Sequence, residues 1–218
     1  MQTKWADTYT VHLSPDFAVQ LPLLDIGDGF CIYSFDMTGE ARWNRVAAAE
    51  LKKKLAPYSF DGFVTVQTKS CGLCQAICTE FGHDDYLELR KSRKAFMIDP
   101  VGVEVTSITT HGKQELWIGR EKYARFQGKT LCFLDDVVST GGTIDAAMEL
   151  TAQLGIRIGV IACALLEGER RDSYKGIPLV SLDWIPLPGP ACAGATRPAC
   201  AGATRDSGCL NEKDFLSR

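Results

Sequence analysis

A chain of 218 residues is long enough for one α/β domain with a sizeable core, or for such a domain with a small appendage. With 45% hydrophobic and 23% charged residues its composition is that of an ordinary globular protein. A net charge of −3 argues against nucleic acid or an anionic membrane as the main partner, so any anion site has to be local.

The opening MQTKWADTYT is polar and lacks the apolar segment of a signal peptide, and no stretch approaches the roughly 20 apolar residues of a membrane span. The nine cysteines are odd in number, and Cys132 and Cys163 fall inside apolar strand-like runs. Without an export signal they are expected as reduced thiols in a cytoplasmic protein.

In chain order, residues 1–39 are expected to form short strands and turns, punctuated by Pro15, Pro22 and the Gly27-Asp28-Gly29 turn. From Glu40 a helix is predicted by Trp43, Ala47, Leu51 and Leu55, an apolar stripe at four-residue steps, with Lys52, Lys53 and Lys54 as its solvated face. Phe60 to Val66 reads as a strand, Leu73 to Phe81 as a helix and Tyr86 to Leu89 as a strand. Val101 to Ile108 and Glu115 to Ile118 read as two extended arms around a polar stretch from Thr109 to Gln114. Thr130 to Leu134 is a continuous apolar run of the kind buried on both faces of a parallel sheet. A helix from Thr143 to Leu154 and a buried strand from Ile158 to Leu166 follow. Strands alternating with helices predict a doubly wound, mainly parallel α/β sheet flanked by helices.

The tail differs in kind. PACAGATR at residues 190–197 is repeated at once at 198–205, too short a repeat for a solenoid, and is expected to be a flexible appendage. Its cysteines lack the His or spaced partners of a metal site.

Leu131 to Thr143 carries the chemistry. An apolar strand ends in Asp135 and Asp136, passes through Ser139-Thr140-Gly141-Gly142-Thr143 and opens a helix. Backbone N–H groups at a helix start have no helical partner and can cradle a phosphate, the glycines let the chain come close, and the hydroxyls add donors. Carboxylates at the end of a strand, where open α/β sheets bind ligands, suit sugar hydroxyls or a metal. A plain capped turn explains the hydroxyls and one glycine but not the two acids. Neither G-x-x-x-x-G-K-[ST] nor a complete G-x-G-x-x-G is present, which disfavours the common ATP and dinucleotide readings.

This segment resembles the donor-binding signature of the type I phosphoribosyltransferases, and the resemblance extends over Leu21 to Leu187. Val64 to Ser70 resembles that family's pyrophosphate loop, Leu89 to Lys94 a basic segment of its purine branch, and Val103 to Ile118 its mobile catalytic loop. The chain is most similar to the adenine/xanthine phosphoribosyltransferase-like group. The resemblance implies an N-terminal hood over residues 1–39, a core over 40–187 and a tail over 188–218. It implies an enzyme that transfers a 5-phosphoribosyl group from phosphoribosyl pyrophosphate (PRPP) to a purine base, adenine favoured and xanthine next, with Mg²⁺, as a cytoplasmic homodimer of purine salvage. A non-catalytic PRPP sensor is the alternative, but no basic nucleic-acid-binding module accompanies the core.

By the same resemblance Asp135 and Asp136 hold the ribose hydroxyls and, mostly through donor and water, the metal, while Ser139, Thr140, Gly141, Gly142 and Thr143 hold the 5-phosphate. Thr68, Lys69, Ser70, Arg90, Lys91 and Lys94 are expected around the pyrophosphate, with Lys69, Lys113 and Glu115 as catalytic candidates. Gln67 stands where the family carries an acid, and Ser70 or Gly72 where it carries the loop glycine. His111 is expected to be an unremarkable surface histidine. Cys71, Cys74 and Cys78 are expected to pack a helix against a sheet, with no partner His for a metal.

Overall fold

The computed structural model describes residues 7–27, 30–106 and 113–188. Residues 12–18 with 36–186 form one compact unit, and residues 7–11 and 19–35 with 187–188 another. The N-terminal strands β1 (Thr8–Ser14), β2 (Phe17–Gly27) and β3 (Phe30–Tyr33) make a three-stranded sheet in that order, β2 and β3 antiparallel. Tyr9 and Tyr33 meet on it with ring centroids 5.3 Å apart.

The larger unit is built on a six-stranded sheet. Helix α1 (Ala41–Leu55) buries Asn44, Ala47, Ala48, Leu51 and Leu55. Strand β4 (Gly62–Val66) is buried at every residue, as a central parallel strand has to be. It is followed by α2 (Cys71–Phe81), β5 (Leu87–Leu89), the antiparallel pair β6 (Val101–Thr106) and β7 (Lys113–Ile118), and the single turn α3 (Arg120–Tyr123). Then come β8 (Thr130–Val138), α4 (Gly142–Gln153), β9 (Arg157–Glu167), β10 (Ser173–Tyr174) and β11 (Ile177–Ile185).

The sheet order is β10-β11-β9-β8-β4-β5, all parallel except β10. Among the parallel strands β4 comes first in the chain, β5 lies on one side of it and β8, β9 and β11 on the other. The direction of winding therefore reverses between β4 and β8, which makes their carboxyl ends the ligand crevice of the fold. Alternation along the strands sends Val64, Leu131 and Phe133 into a core shared with Ile144, Ala147 and Leu150 of α4 and Val103 and Leu116 of the arms. Phe63 points the other way and meets Phe81 of α2 edge to face at 5.3 Å.

The doubly wound, mainly parallel sheet expected from the sequence is the one observed. Two differences matter. Strand β8 runs on to Val138, so Asp135 and Asp136 lie within it and do not close it: Asp135 pairs with Cys163 and Val138 with Leu166 of β9. Strands β10 and β11 follow β9 in a stretch with no element expected from the sequence. The lysines of α1 are tied to neighbours as well as solvated, Lys53 to Glu50 at 2.6 Å and Lys54 to the Ser181 carbonyl at 2.7 Å. No helix among the described residues is long and apolar enough to cross a membrane. The duplicated octapeptide and His111 lie outside the described residues.

Candidate functional site

At the carboxyl end of β4 the chain turns through Gln67, Thr68, Lys69 and Ser70 into α2. The Gln67–Thr68 peptide is cis, and the Gln67 N–H donates to the Leu89 carbonyl at 2.9 Å. Beneath this loop the buried Thr65 hydroxyl donates to the Leu134 carbonyl at 2.8 Å and lies 2.7 Å from the Ser70 hydroxyl. The loop at the end of β4 is thereby bonded to the strand that carries the acids.

Asp136 is buried and Asp135 half-buried. The Asp136 N–H donates to the Asp135 carboxylate at 3.0 Å, and the Asp136 carboxyl and the Ser70 hydroxyl are near enough to act on Asp135. Burial, then the charge of Asp136, pushes Asp135 well above the usual carboxylate range. Burial raises Asp136 too, against the opposing pull of the Asp135 hydrogen bond and the Lys69 charge.

The turn after β8 opens α4 with Gly141 at φ +94°, a conformation suited to glycine, and no side chain caps the helix. The first N–H groups of α4 therefore lack both helical partners and a cap, the condition for holding an anion. A second helix start without a side-chain cap, that of α2 after Ser70, stands at the end of the adjacent strand. Two helix starts without side-chain caps, at the ends of the neighbouring strands β4 and β8, thus stand beside the two acids of β8.

Three residues unforeseen from the sequence brace the turn. Arg171 donates to the Ser139 carbonyl. The Tyr174 ring packs on Gly141 so closely that a Cβ there would lie 2.5 Å from it, and its hydroxyl donates to Asp145 at 3.0 Å. Lys175 pairs with Asp145 at 2.7 Å. Lys175-Gly176 lacks the Asn-Gly or Asp-Gly signal of a two-residue hairpin turn, and nothing local shows that this hairpin reaches the start of α4.

The cations divide. Lys69 is exposed and close enough to Asp36 and Asp136 to draw both carboxyls downward. Arg90 is engaged by Glu88 at 2.9 Å and lies over the Phe96 ring at 5.5 Å. Lys91 and Lys94 are exposed in the segment that follows. In the arms, Glu115 accepts the Trp117 indole N–H at 2.9 Å and stands opposite Glu104 in the register. Lys113 begins β7 opposite Thr106, and its side chain is outside the described ones. The base of the arms is fixed to the site: Arg90 and Trp117 exchange backbone hydrogen bonds of 2.9 and 2.7 Å.

Cys71, Cys74, Cys78, Cys132 and Cys163 are free thiols, all but Cys71 buried, and no group of three or more metal-ligating side chains occurs among the described residues. The packing role expected for the α2 cysteines fits this placement. Cys31 in β3 is disulfide-bonded, against the expectation of reduced thiols throughout. The same donor set bears on a metal at the acids. Two carboxyls are too few for a cage around Mg²⁺, but they fit a cation held by one or two acids, water and substrate phosphates. A cavity of about 500 Å³ along β11, lined by residues including Lys54, Arg170, Arg171 and Trp184, does not include the acids.

No protein-family model matches the chain. In sequence it is 32% identical over 95 residues to the adenine phosphoribosyltransferase of Corynebacterium jeikeium, a match covering 42% of this chain and 45% of that one. It is 33% identical over 85 residues to the hypoxanthine/guanine phosphoribosyltransferase of Methanothrix thermoacetophila, covering 38% and 43%. The matched segments thus span less than half the length of either relative. In structure it resembles the adenine phosphoribosyltransferase of Thermoanaerobacter pseudethanolicus, with a TM-score of 0.64 at 20% identity, covering 76% of this chain and 95% of that one.

Proposed function

We propose that this chain is a type I phosphoribosyltransferase of the adenine-like group, which it resembles in sequence and fold, and that it transfers the 5-phosphoribosyl group of PRPP to a purine base and releases pyrophosphate. The observation that carries the reading is the pair of uncapped helix starts at the ends of the neighbouring strands β4 and β8, with two adjacent acids, Asp135 and Asp136, on β8 itself. PRPP has the matching layout: a phosphate at one end of a ribose, a diphosphate at the other, and a diol between.

In this reading Ser139, Thr140, Gly141, Gly142 and Thr143 take the 5-phosphate, and Asp135 and Asp136 take the ribose hydroxyls. Thr68, Lys69 and Ser70 take the pyrophosphate, with Arg90, Lys91 and Lys94 adding charge along the neighbouring segment. Bond breaking at the ribose C1 leaves positive charge on the ring and negative charge on the departing pyrophosphate. The base nitrogen closes the new bond and gives up its proton. The protein's part is to hold the three groups in line and to receive the leaving charge at Lys69. Asp135 and Asp136, mostly through donor and water, are the residues that would hold Mg²⁺, which supplies charge neutralisation on the diphosphate. Lys113 and Glu115 belong to the same proposal as contributors from the arms, as does a cytoplasmic homodimer working in purine salvage.

Adenine is the favoured acceptor. The named relatives include both an adenine and a hypoxanthine/guanine enzyme, so the test is a base panel. Pyrophosphate release is measured with PRPP, Mg²⁺ and adenine, xanthine, hypoxanthine or guanine in turn. Release with adenine and little with the others is the expected result. A chain that fails to bind PRPP at all overturns the reading.

A further inference from the structure

We infer that the hairpin of β10 and β11, with the residues leading into it, is a positioning clamp for the Gly-rich turn, in which Lys175 neutralises Asp145 so that the start of α4 stays electropositive toward a phosphate. The inference rests on the function proposed above and goes beyond it to residues that touch no substrate group.

Asp145 is the acid in the first turn of α4. A carboxylate there draws on the same partial positive charge that an incoming phosphate needs, and it repels that phosphate. The hairpin answers this at three points. Lys175 pairs with the Asp145 carboxylate at 2.7 Å and the Tyr174 hydroxyl donates to the same oxygen at 3.0 Å. The Tyr174 ring packs against Gly141, and Arg171, 4.9 Å above that ring, donates to the Ser139 carbonyl. The turn is thus held at residues 139, 141 and 145.

The backbone is shaped for this. Tyr174 and Ile177 pair across Lys175 and Gly176, at φ +50° and +79°, the arrangement of a two-residue hairpin turn with both central residues left-handed. Asn, Asp or Gly is the usual first residue of such a turn. A lysine kept there in an unfavourable conformation, and used on Asp145, fits a functional placement.

Calorimetric binding of ribose 5-phosphate and, separately, of magnesium pyrophosphate to the full chain tests this. Lys175→Ala is expected to weaken ribose 5-phosphate about fivefold, the scale of a charge effect at a helix end, and to leave pyrophosphate unchanged. Asp145→Asn, alone, is expected to bind ribose 5-phosphate at least as tightly as the unmodified chain, and added to Lys175→Ala to restore the loss. A hairpin that merely stabilises the fold cannot produce that rescue. Equal ribose 5-phosphate affinity in Lys175→Ala, a parallel loss of pyrophosphate, or no rescue by Asn overturns the clamp while leaving the proposed function standing. An unmodified chain that binds neither ligand overturns both.

Discussion

Thr65 on β4 and Leu134 on β8 are register partners whose link is doubled by a side chain: the Thr65 hydroxyl donates to the Leu134 carbonyl at 2.8 Å. The bond lies one residue before Asp135 and five before Ser70, so it joins the two halves of the site where they diverge. Thr65→Val keeps the shape and removes the hydroxyl, leaving buried groups at Leu134 and Ser70 short of a partner. The expected cost is about 1–2 kcal/mol, read from urea denaturation, together with weaker binding of pyrophosphate. A variant as stable as the parent would show that the link contributes nothing.

Asp135 and Asp136 combine a proposed binding role with a stability penalty. Both carboxyls are raised from the ordinary 3.8 by folding, so the folded chain holds protons that the unfolded chain has released. Stability from the pair is therefore full below 3.8 and is lost as pH climbs through the raised values. Replacing both with Asn is expected to abolish most PRPP binding, by at least about tenfold. It is also expected to make the chain relatively more stable at about pH 8 than at about pH 4, compared with the parent. Unchanged PRPP affinity would remove the acids from the site.

Lys69 is expected to act at one end of the ligand only. Lys69→Ala should weaken pyrophosphate about tenfold, the scale of one charge-assisted contact, and slow turnover. Ribose 5-phosphate affinity should change little. The same change removes a cation that lowers Asp136, so the acid limb of the activity profile moves to higher pH. Equal losses for both ligands would place Lys69 elsewhere.

Cys71 is partly exposed, yet its surroundings are expected to keep it unreactive. Burial and the Glu88 carboxylate push its thiol up to about 12, so little thiolate is present at neutral pH. Alkylation followed by peptide mapping is expected to show Cys71 reacting on the order of a hundredfold more slowly than a free cysteine, and normally once the chain is unfolded. Rapid labelling in the folded protein would contradict this environment.

Much of the local geometry around the candidate site is legible in the sequence, because a strand, a turn and a helix start are local events. Leu131 to Thr143 announces its own geometry through residue order: apolar run, acids, glycines, amphipathic helix. The extent of β8 is not legible in the same way. Its last four residues are extended because β9 offers Cys163, Leu165 and Leu166 as partners, and pairing across strands has no signature in one segment. Arg171, Tyr174 and Lys175 were hidden for a related reason. They lie about thirty residues from the turn they brace, and only the fold brings them together. Arg90 shows the converse, a cation expected free for a ligand that instead has Glu88 beside it.

The paired backbone bonds between Arg90 and Trp117 have a consequence for how the arms tolerate change. Because the attachment is at the root, extra residues inserted at the open end of the arms lengthen them without shifting the anchor. A single residue inserted between Trp117 and the arms' open end instead reverses which side of the ribbon each later side chain occupies. Variation in length is therefore permitted at one end of the ribbon and forbidden at the other.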